Sequence, residues 1–319
     1  MQNPIFIKQA IEDYVLSQKA DGAADKTLKW YTSILSAFAD GFSDKEVSTV
    51  TTKQIRLYIV ELRERDGRYI GAIQKPMQEG GVSEATISAH VRALKAFWSW
   101  STEEYQLEEN PMKRIRQPKR VISTPKTVDY ADFVKLFNIC SDDAMGDRDR
   151  AMLAFLADTG CRLQGLRTLE ITKLHINDKR ALVHEKGNKS RFVFFTHFTA
   201  LLLNKWLLLH PETCNFVFVS MRTGNALTDS GIQQMLKRLK KQAKVKGRVN
   251  PHSFRHGFAR EYIKNGGDLA TLARLLGHSD ESITAAYYAV FAPDELAEFH
   301  KKHSPINRLT KILRREDNE

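Results

Sequence analysis

Five short stretches carry side chains suited to phosphate or proton chemistry. They are Thr159-Gly160-Cys161-Arg162, Lys186-Gly187-Asn188-Lys189, His252-Ser253-Phe254-Arg255, Leu275-Leu276-Gly277-His278-Ser279 and Tyr287-Tyr288. Guanidinium and ammonium groups bind anions through charge-assisted hydrogen bonds, imidazoles carry protons near neutral pH, and a phenol oxygen can act as a nucleophile. Singly, each stretch is ordinary. An arginine after a glycine is usually solvated, a lysine in a turn usually only solubilises, a His–Arg pair can merely start a helix, and paired tyrosines usually pack in a core or at its rim. Their value lies in their order along one chain. His252 and His256 are four residues apart, but no H-E-x-x-H pattern and no third ligand accompanies them, which argues against a zinc hydrolase.

The elements that must position these residues can be traced from periodicity. Apolar residues at helical spacing predict helices over Ile5 to Ser17 and Asp25 to Phe38. Thr51 caps a third helix through Ile55 and Leu62, and the stretch from Gly67 to Gly81 is rich in turn formers. Ser83 caps a long fourth helix through Ile87, Val91, Leu94, Phe97 and Trp98, expected to stop near Asn110-Pro111 because the residue before a proline is pushed out of helical geometry. In the second half, Thr127 to Cys140 and Arg148 to Leu156 look helical. Two apolar runs, Ala181 to Glu185 and Arg191 to Phe195, flank a Gly-Asn turn and predict a hairpin. Further helices are expected over Ala200 to Leu209, Ser230 to Val245, Ser253 to Asn265, Leu269 to Leu275 and Ile283 to Val290. The chain is therefore expected to be mainly α, with a helical N-terminal domain (1–116), a basic linker (117–126) and a mixed α/β C-terminal domain (127–319) holding a small antiparallel sheet.

Charge narrows the partner. The 319 residues hold 49 Lys and Arg against 38 Asp and Glu, a net +11. Residues 1–120 contribute 18 bases and 16 acids, so most of the excess lies in the second half. This balance favours a polyanion, nucleic acid before membrane. Two basic runs stand out: Lys113, Arg114, Arg116, Lys119 and Arg120 in the linker region, and Lys237 to Arg248, which includes Lys240, Lys241 and Lys244. A run such as the second is by itself an ordinary solvated helix face. No stretch approaches the ~18 apolar residues of a membrane span, since Phe198 to Leu209 is cut by Asn204 and Lys205. The N-terminus is too mixed for a secretory signal. Cys140, Cys161 and Cys214 are scattered, which argues against a disulfide framework and points to a reducing compartment.

Taken together, the five stretches resemble the tyrosine recombinase, or phage integrase, family over essentially the whole chain. Asn250 to Ala259 is similar to the family's histidine-x-x-arginine box, Leu275 to Ser279 to its next box, and Tyr287 falls at the usual spacing after that histidine. The end of the fourth helix, Glu108-Glu109-Asn110-Pro111, is similar to the end of the family's N-terminal core-binding domain, a SAM-like helical unit. The resemblance implies site-specific DNA recombination or integration, for a mobile element or phage. Tyr287 would attack a phosphodiester, form a 3′-phosphotyrosyl bond and release a 5′-hydroxyl, so that bond energy is conserved and no cofactor or metal is required. Arg162 and Arg255 would clamp the non-bridging oxygens bidentately, as lysine cannot. Lys186, with Lys189 as the fallback, would protonate the leaving oxygen. His252 would help to activate the nucleophile, and His278 would hydrogen-bond the phosphate. Tyr288 is the fallback nucleophile, about 100° from Tyr287 on a helix, so that only one can face the site.

One departure stands out: the family usually has an acid three residues after its first arginine, and here that position is Gly165, with Asp158 and Glu170 as acids that could substitute. The resemblance further implies double-stranded DNA held as in a clamp between the two domains, with Lys113, Arg114, Arg116, Lys119, Arg120, Lys189, Lys240, Lys241 and Lys244 on the phosphates. Four protomers would act on two duplexes, from a monomer or weak oligomer when free. Apolar strips in the tail, Leu296 with Phe299 and Ile306 with Leu309, Ile312 and Leu313, would dock onto a neighbouring protomer. Core-binding helices starting near Ile5 leave no extra arm-binding domain ahead of them. An accessory directionality protein fits the same picture, and the location is the cytoplasm of a prokaryotic or phage-infected cell, at the nucleoid. A type IB topoisomerase, which relaxes DNA with a similar residue set, and an inactive DNA-binding relative are the competing readings.

Overall fold

The computed structural model describes residues 4–65, 67–68, 78–79, 81–118, 126–185, 189–211, 214–277, 297 and 300–301. The chain divides into two compact units, Met1–Ile122 and Ser123–Glu319.

The first unit is built from α1 (Ile7–Ala20), α2 (Asp25–Ala39), α3 (Thr52–Glu64) and α4 (Glu84–Glu104). Helix α1 buries Ile7, Ala10, Ile11 and Tyr14, the i, i+3, i+4, i+7 stripe. Helix α3 starts at Thr51 with a reciprocal capping box, Gln54 N–H donating to Thr51 Oγ1 at 3.3 Å and Thr51 N–H to Gln54 Oε1 at 2.9 Å. Leu35, Phe38, Ile55, Ile87, Phe97 and Trp98 close the core at zero exposure, each worth roughly 1.5–3 kcal/mol of burial. Within the turn-rich stretch a short antiparallel pair forms, β1 (Gly67–Arg68) with β2 (Gln78–Glu79), too short to carry an alternating pattern. One expectation needs correcting. Helix α4 ends at Glu104, ahead of the Asn-Pro pair. Gln106 takes a left-handed φ of 51° and the Leu107 N–H reaches back to the Thr102 carbonyl at 3.1 Å, a Schellman-type stop that needs no proline.

The second unit contains α5 (Tyr130–Asn138), α6 (Ala144–Thr159), α7 (Leu163–Arg167), β3 (Leu174–His175), β4 (Arg180–Glu185), β5 (Lys189–Phe194), α8 (His197–Leu207), α9 (Asp229–Gln242), α10 (Pro251–Lys264) and α11 (Leu269–Leu276). The sheet is antiparallel in the order β3-β4-β5, with Leu182 opposite Phe192 and Glu185 opposite Lys189. The expected hairpin is thus present, extended by β3, whose two residues are too few to signal in a sequence. Alternation along β4 turns Ala181, Val183 and Glu185 inward. Helix α6 is the core helix. It buries residues on nearly every side, including Asp149, which accepts hydrogen bonds from Arg148 and from Arg238 of α9. The expected helix over Ile283 to Val290 and the tail strips lie outside the described residues. Among the described residues, no helix is long and apolar enough to cross a membrane.

Candidate active site

Gly160 makes the first turn of the site. It caps α6 at φ 57°, and a Cβ there would come within 2.8 Å of Phe258 Cδ1 and 3.0 Å of Leu276 Cδ2. Only glycine fits a left-handed cap pressed this closely onto α10 and α11. Cys161 follows, fully buried, and burial pushes its thiol up to about 11, so it is an inert core thiol at neutral pH. Arg162 is next, the cap residue of α7, with its side chain about one-third exposed.

Helix α10 delivers the second arginine. Asn250 and Ser253 form a capping box and Pro251 occupies the first turn, which sets the helix start firmly. Arg255 then lies one turn in, at 3% exposure. Its Nη1 donates to the Gly160 carbonyl at 2.9 Å and its Nη2 to the Leu276 carbonyl at 2.6 Å. The second arginine is therefore pinned to the turn that leads into the first and to the end of α11. His252 stands exposed on the first turn of α10. Partial desolvation, and then the guanidiniums of Arg255, Arg162 and Arg248, hold its pKa below the usual histidine value, so the ring is neutral at pH 7 and able to accept a proton. The structure brings Arg162, His252 and Arg255 together. Lys186, His278, Tyr287 and Tyr288 lie outside the described residues. The segments leading to two of them are placed: the Glu185–Lys189 register brackets the turn of Lys186, and Gly277, the left-handed cap of α11 at φ 64°, immediately precedes His278.

The glycine at the position of the missing acid has a steric reason. Gly165 is buried in α7, and a Cβ there would meet Val183 Cβ of β4 at 3.1 Å. Both acids that could have substituted are engaged elsewhere. Asp158 sits at the start of α8, accepting from Thr196 N–H at 2.6 Å and from the hydroxyls of Thr196 and Thr199, while Glu170 accepts from the Thr172 hydroxyl. The carboxylate that meets Arg162 is Glu185, which sequence reasoning missed. Its other oxygen accepts from Arg191 Nη2 at 3.1 Å. A signal was available: period two along β4 puts Glu185 on the same inward face as Ala181 and Val183, and an inward-facing acid needs a cationic partner.

The basic positions sort by exposure. Lys113, Arg114 and Arg116 are exposed on the first unit, and Lys241 and Lys244 on the second, where Lys240 is half-buried. Arg238, within the densest basic run, is instead bound to core Asp149. The Lys189 side chain and residues Lys119 and Arg120 lie outside the described set. No group of three or more His, Cys, Asp or Glu side chains is assembled for a metal among the described residues.

His256, half-buried one turn after His252, has its pKa pulled down to about 4 by burial first and then by His252 and Arg255. An unfolded histidine titrates near 6.5. On acidification the unfolded chain therefore takes this proton first, and the stability tied to neutral His256 is intact above pH 6.5 and lost between 6.5 and about 4. Urea unfolding at pH 7.5 and pH 5 should show the native chain losing about 1–2 kcal/mol more than a His256→Gln variant; equal losses would remove His256 as the cause.

The sequence model of the phage integrase family matches residues 126–293. Tyrosine recombinase XerC of Bacillus licheniformis is 30% identical over 274 residues, covering 83% of each chain. XerC of Oceanobacillus iheyensis is 28% identical over 316 residues, covering 95% of this chain and 97% of that one. Among solved structures, the XerH site-specific recombinase bound to a palindromic difH substrate superposes with a TM-score of 0.70 at 20% identity, covering 94% of this chain and 85% of that one. A lambda integrase dimer bound to a COC′ core site gives 0.70 at 17%, covering 89% and 77%. These two likenesses establish the shared fold.

Proposed function

We propose, since the chain belongs to the phage integrase family and is a tyrosine-type site-specific DNA recombinase, that it cleaves and rejoins duplex DNA through a Tyr287 phosphotyrosyl link inside a cradle of Arg162, His252 and Arg255. The observation that carries this reading is the locking of Arg255 onto the Gly160 carbonyl, two residues before Arg162. Motifs nearly a hundred residues apart thereby present two guanidiniums and a neutral imidazole to one place. In the cleavage step the phenol oxygen bonds to phosphorus while the bond to the 5′-oxygen breaks. His252, neutral at pH 7, takes up or relays the phenol proton. The leaving oxygen takes a proton from Lys186 of the hairpin turn. The two guanidiniums stabilise the charge that develops on the non-bridging oxygens, each worth roughly 3 kcal/mol. Because the phosphotyrosyl bond keeps the energy of the broken link, a 5′-hydroxyl of the partner duplex can reverse the step without a cofactor.

DNA lies against basic side chains of both units, the first of them serving as the core-binding domain: the exposed Lys113, Arg114, Arg116, Lys241 and Lys244 and the half-buried Lys240, with Lys119, Arg120 and Lys189 completing the set. Phosphate contacts of this kind dominate affinity and make it fall steeply with salt. Solved relatives include a lambda integrase tetramer bound to a Holliday junction, and the same assembly of four protomers on two duplexes is proposed here. The enzyme works in the cytoplasm of a prokaryotic or phage-infected cell on a mobile element's ends, with a directionality protein as its accessory.

The test uses the sequences flanking the encoding gene as substrates. A duplex nicked beside the cleavage position should trap a covalent protein–DNA adduct, and two intact duplexes should be joined to each other. An adduct without joining would favour DNA relaxation, and binding without any adduct would favour an inactive DNA-binding relative.

A further inference from the structure

We propose that Glu185, on strand β4, is the residue that orients the first catalytic arginine, Arg162. This rests on the recombinase reading above and adds a positioning residue to the same site. Three observations carry it. The Glu185 carboxylate is 6% exposed, and it accepts from Arg162 through one oxygen and from Arg191 through the other. Arg191 in turn donates to the Leu275 carbonyl at the end of α11. Gly277 sits against this pair, where a Cβ would come within 2.7 Å of Arg191 Cδ and 3.7 Å of Glu185 Oε2. One buried carboxylate therefore ties together the start of α7, the hairpin and the end of α11, the three segments from which Arg162, Lys186 and His278 emerge.

Gly165 explains why the acid comes from the strand. Helix α7 and strand β4 approach until a Cβ at 165 would sit 3.1 Å from Val183 Cβ and 3.7 Å from the His184 carbonyl. A side chain at 165 would require Val183 to give way by a few tenths of an ångström. With glycine there the strand comes close, and its next inward residue after Val183 is Glu185. The carboxylate transfers no proton. It holds one edge of the Arg162 guanidinium, whose side chain is 32% exposed, and turns the remaining N–H donors toward an incoming phosphate. A bidentate clamp depends on that orientation.

A merely structural Glu185 and an orienting one are separated by a double-mutant cycle. Adduct formation is timed on the nicked duplex with the full chain. Glu185→Gln should slow it about 100-fold, with DNA affinity within about threefold of native. Glu185→Asp, which keeps the charge, should stay within about tenfold. In an Arg162→Ala background, Glu185→Gln should change the residual rate by less than about threefold, because the group it acts through is gone. Equal losses in both backgrounds, or a native rate in the single variant, would overturn the proposal. If the glutamine chain does not fold, Glu185→Asp runs the same cycle: a loss seen with Arg162 in place and absent from the Arg162→Ala background supports the orienting role, and equal losses in both backgrounds overturn it. A native chain that forms no adduct on any nicked substrate would instead sink the recombinase reading, and this proposal with it.

Discussion

Replacing Tyr287 by phenylalanine should leave the protein folded, bound to its site and unable to form a covalent DNA adduct, a loss on the order of 10⁴-fold or more. The size of the effect follows from the chemistry. In the proposed mechanism the phenol oxygen is the atom that becomes bonded to phosphorus, so its removal would delete the reaction and not merely a favourable contact. The two arginines and His252 remain, and they hold the phosphate without a nucleophile to receive it. Binding in a gel-shift assay should therefore match the native chain while the nicked duplex traps nothing. The neighbouring hydroxyl is the control. Successive residues of any helix project about 100° apart, so only one of the two hydroxyls is expected to serve, and Tyr288→Phe should cleave at close to the native rate. If Tyr288→Phe is the silent variant and Tyr287→Phe still cleaves, the nucleophile is Tyr288. If both single variants and the double variant exchange strands, neither hydroxyl is the nucleophile.

What a sequence can announce and what it cannot divides along physical lines. Local signals carry the helices. Thr51, Ser83 and Asn250 each cap a helix with a side chain, because capping depends on residues within one turn. The Gly-Asn turn between apolar runs locates the hairpin, since its register follows from sequence neighbours. The arginines, His252 and the glycine turns are visible as motifs. Three features are not. The end of α4 depends on Gln106 adopting a left-handed backbone, which no residue preference announces. Arg238 reads as one more surface cation, yet it reaches the buried Asp149 of α6, 89 residues away. Period two along β4 turns Glu185 inward, but its partner is not announced: only the approach of α7 to β4 at Gly165 puts it against Arg162. The last two depend on tertiary neighbours remote in sequence. The departure at Gly165 and the acid at Glu185 are two halves of one packing arrangement, and a chain read one motif at a time shows them as unrelated.

Arg255→Lys tests the other half of the clamp, and its cost should be large although the charge is conserved. In the native site the Arg255 guanidinium is anchored at two points, the Gly160 carbonyl at 2.9 Å and the Leu276 carbonyl at 2.6 Å. These contacts use two of its nitrogens and fix the plane of the fork from behind. A lysine ammonium has no plane. Its three donors splay from a single nitrogen, so it cannot reproduce the fork that holds both carbonyls while facing a phosphate, and a carbonyl it leaves is a buried acceptor without its donor. Two consequences follow, and they are separable. The orphaned carbonyl costs roughly 1–3 kcal/mol of stability, which thermal unfolding of the free protein reads. The lost bidentate contact raises the cleavage barrier by about 3–4 kcal/mol, a 10²- to 10³-fold slower adduct, with DNA affinity little changed because the phosphodiester's full charge is still met by a cation. The burial of Arg255 at 3% exposure makes the first effect unavoidable, so the second must be measured well below the variant's melting temperature. A lysine chain that is destabilised but cleaves within about threefold of the native rate would show that Arg255 braces the turn of Gly160 and leaves the phosphate to Arg162. The clamp would then have one jaw, and Glu185, which holds that jaw, would become the more important of the two supports.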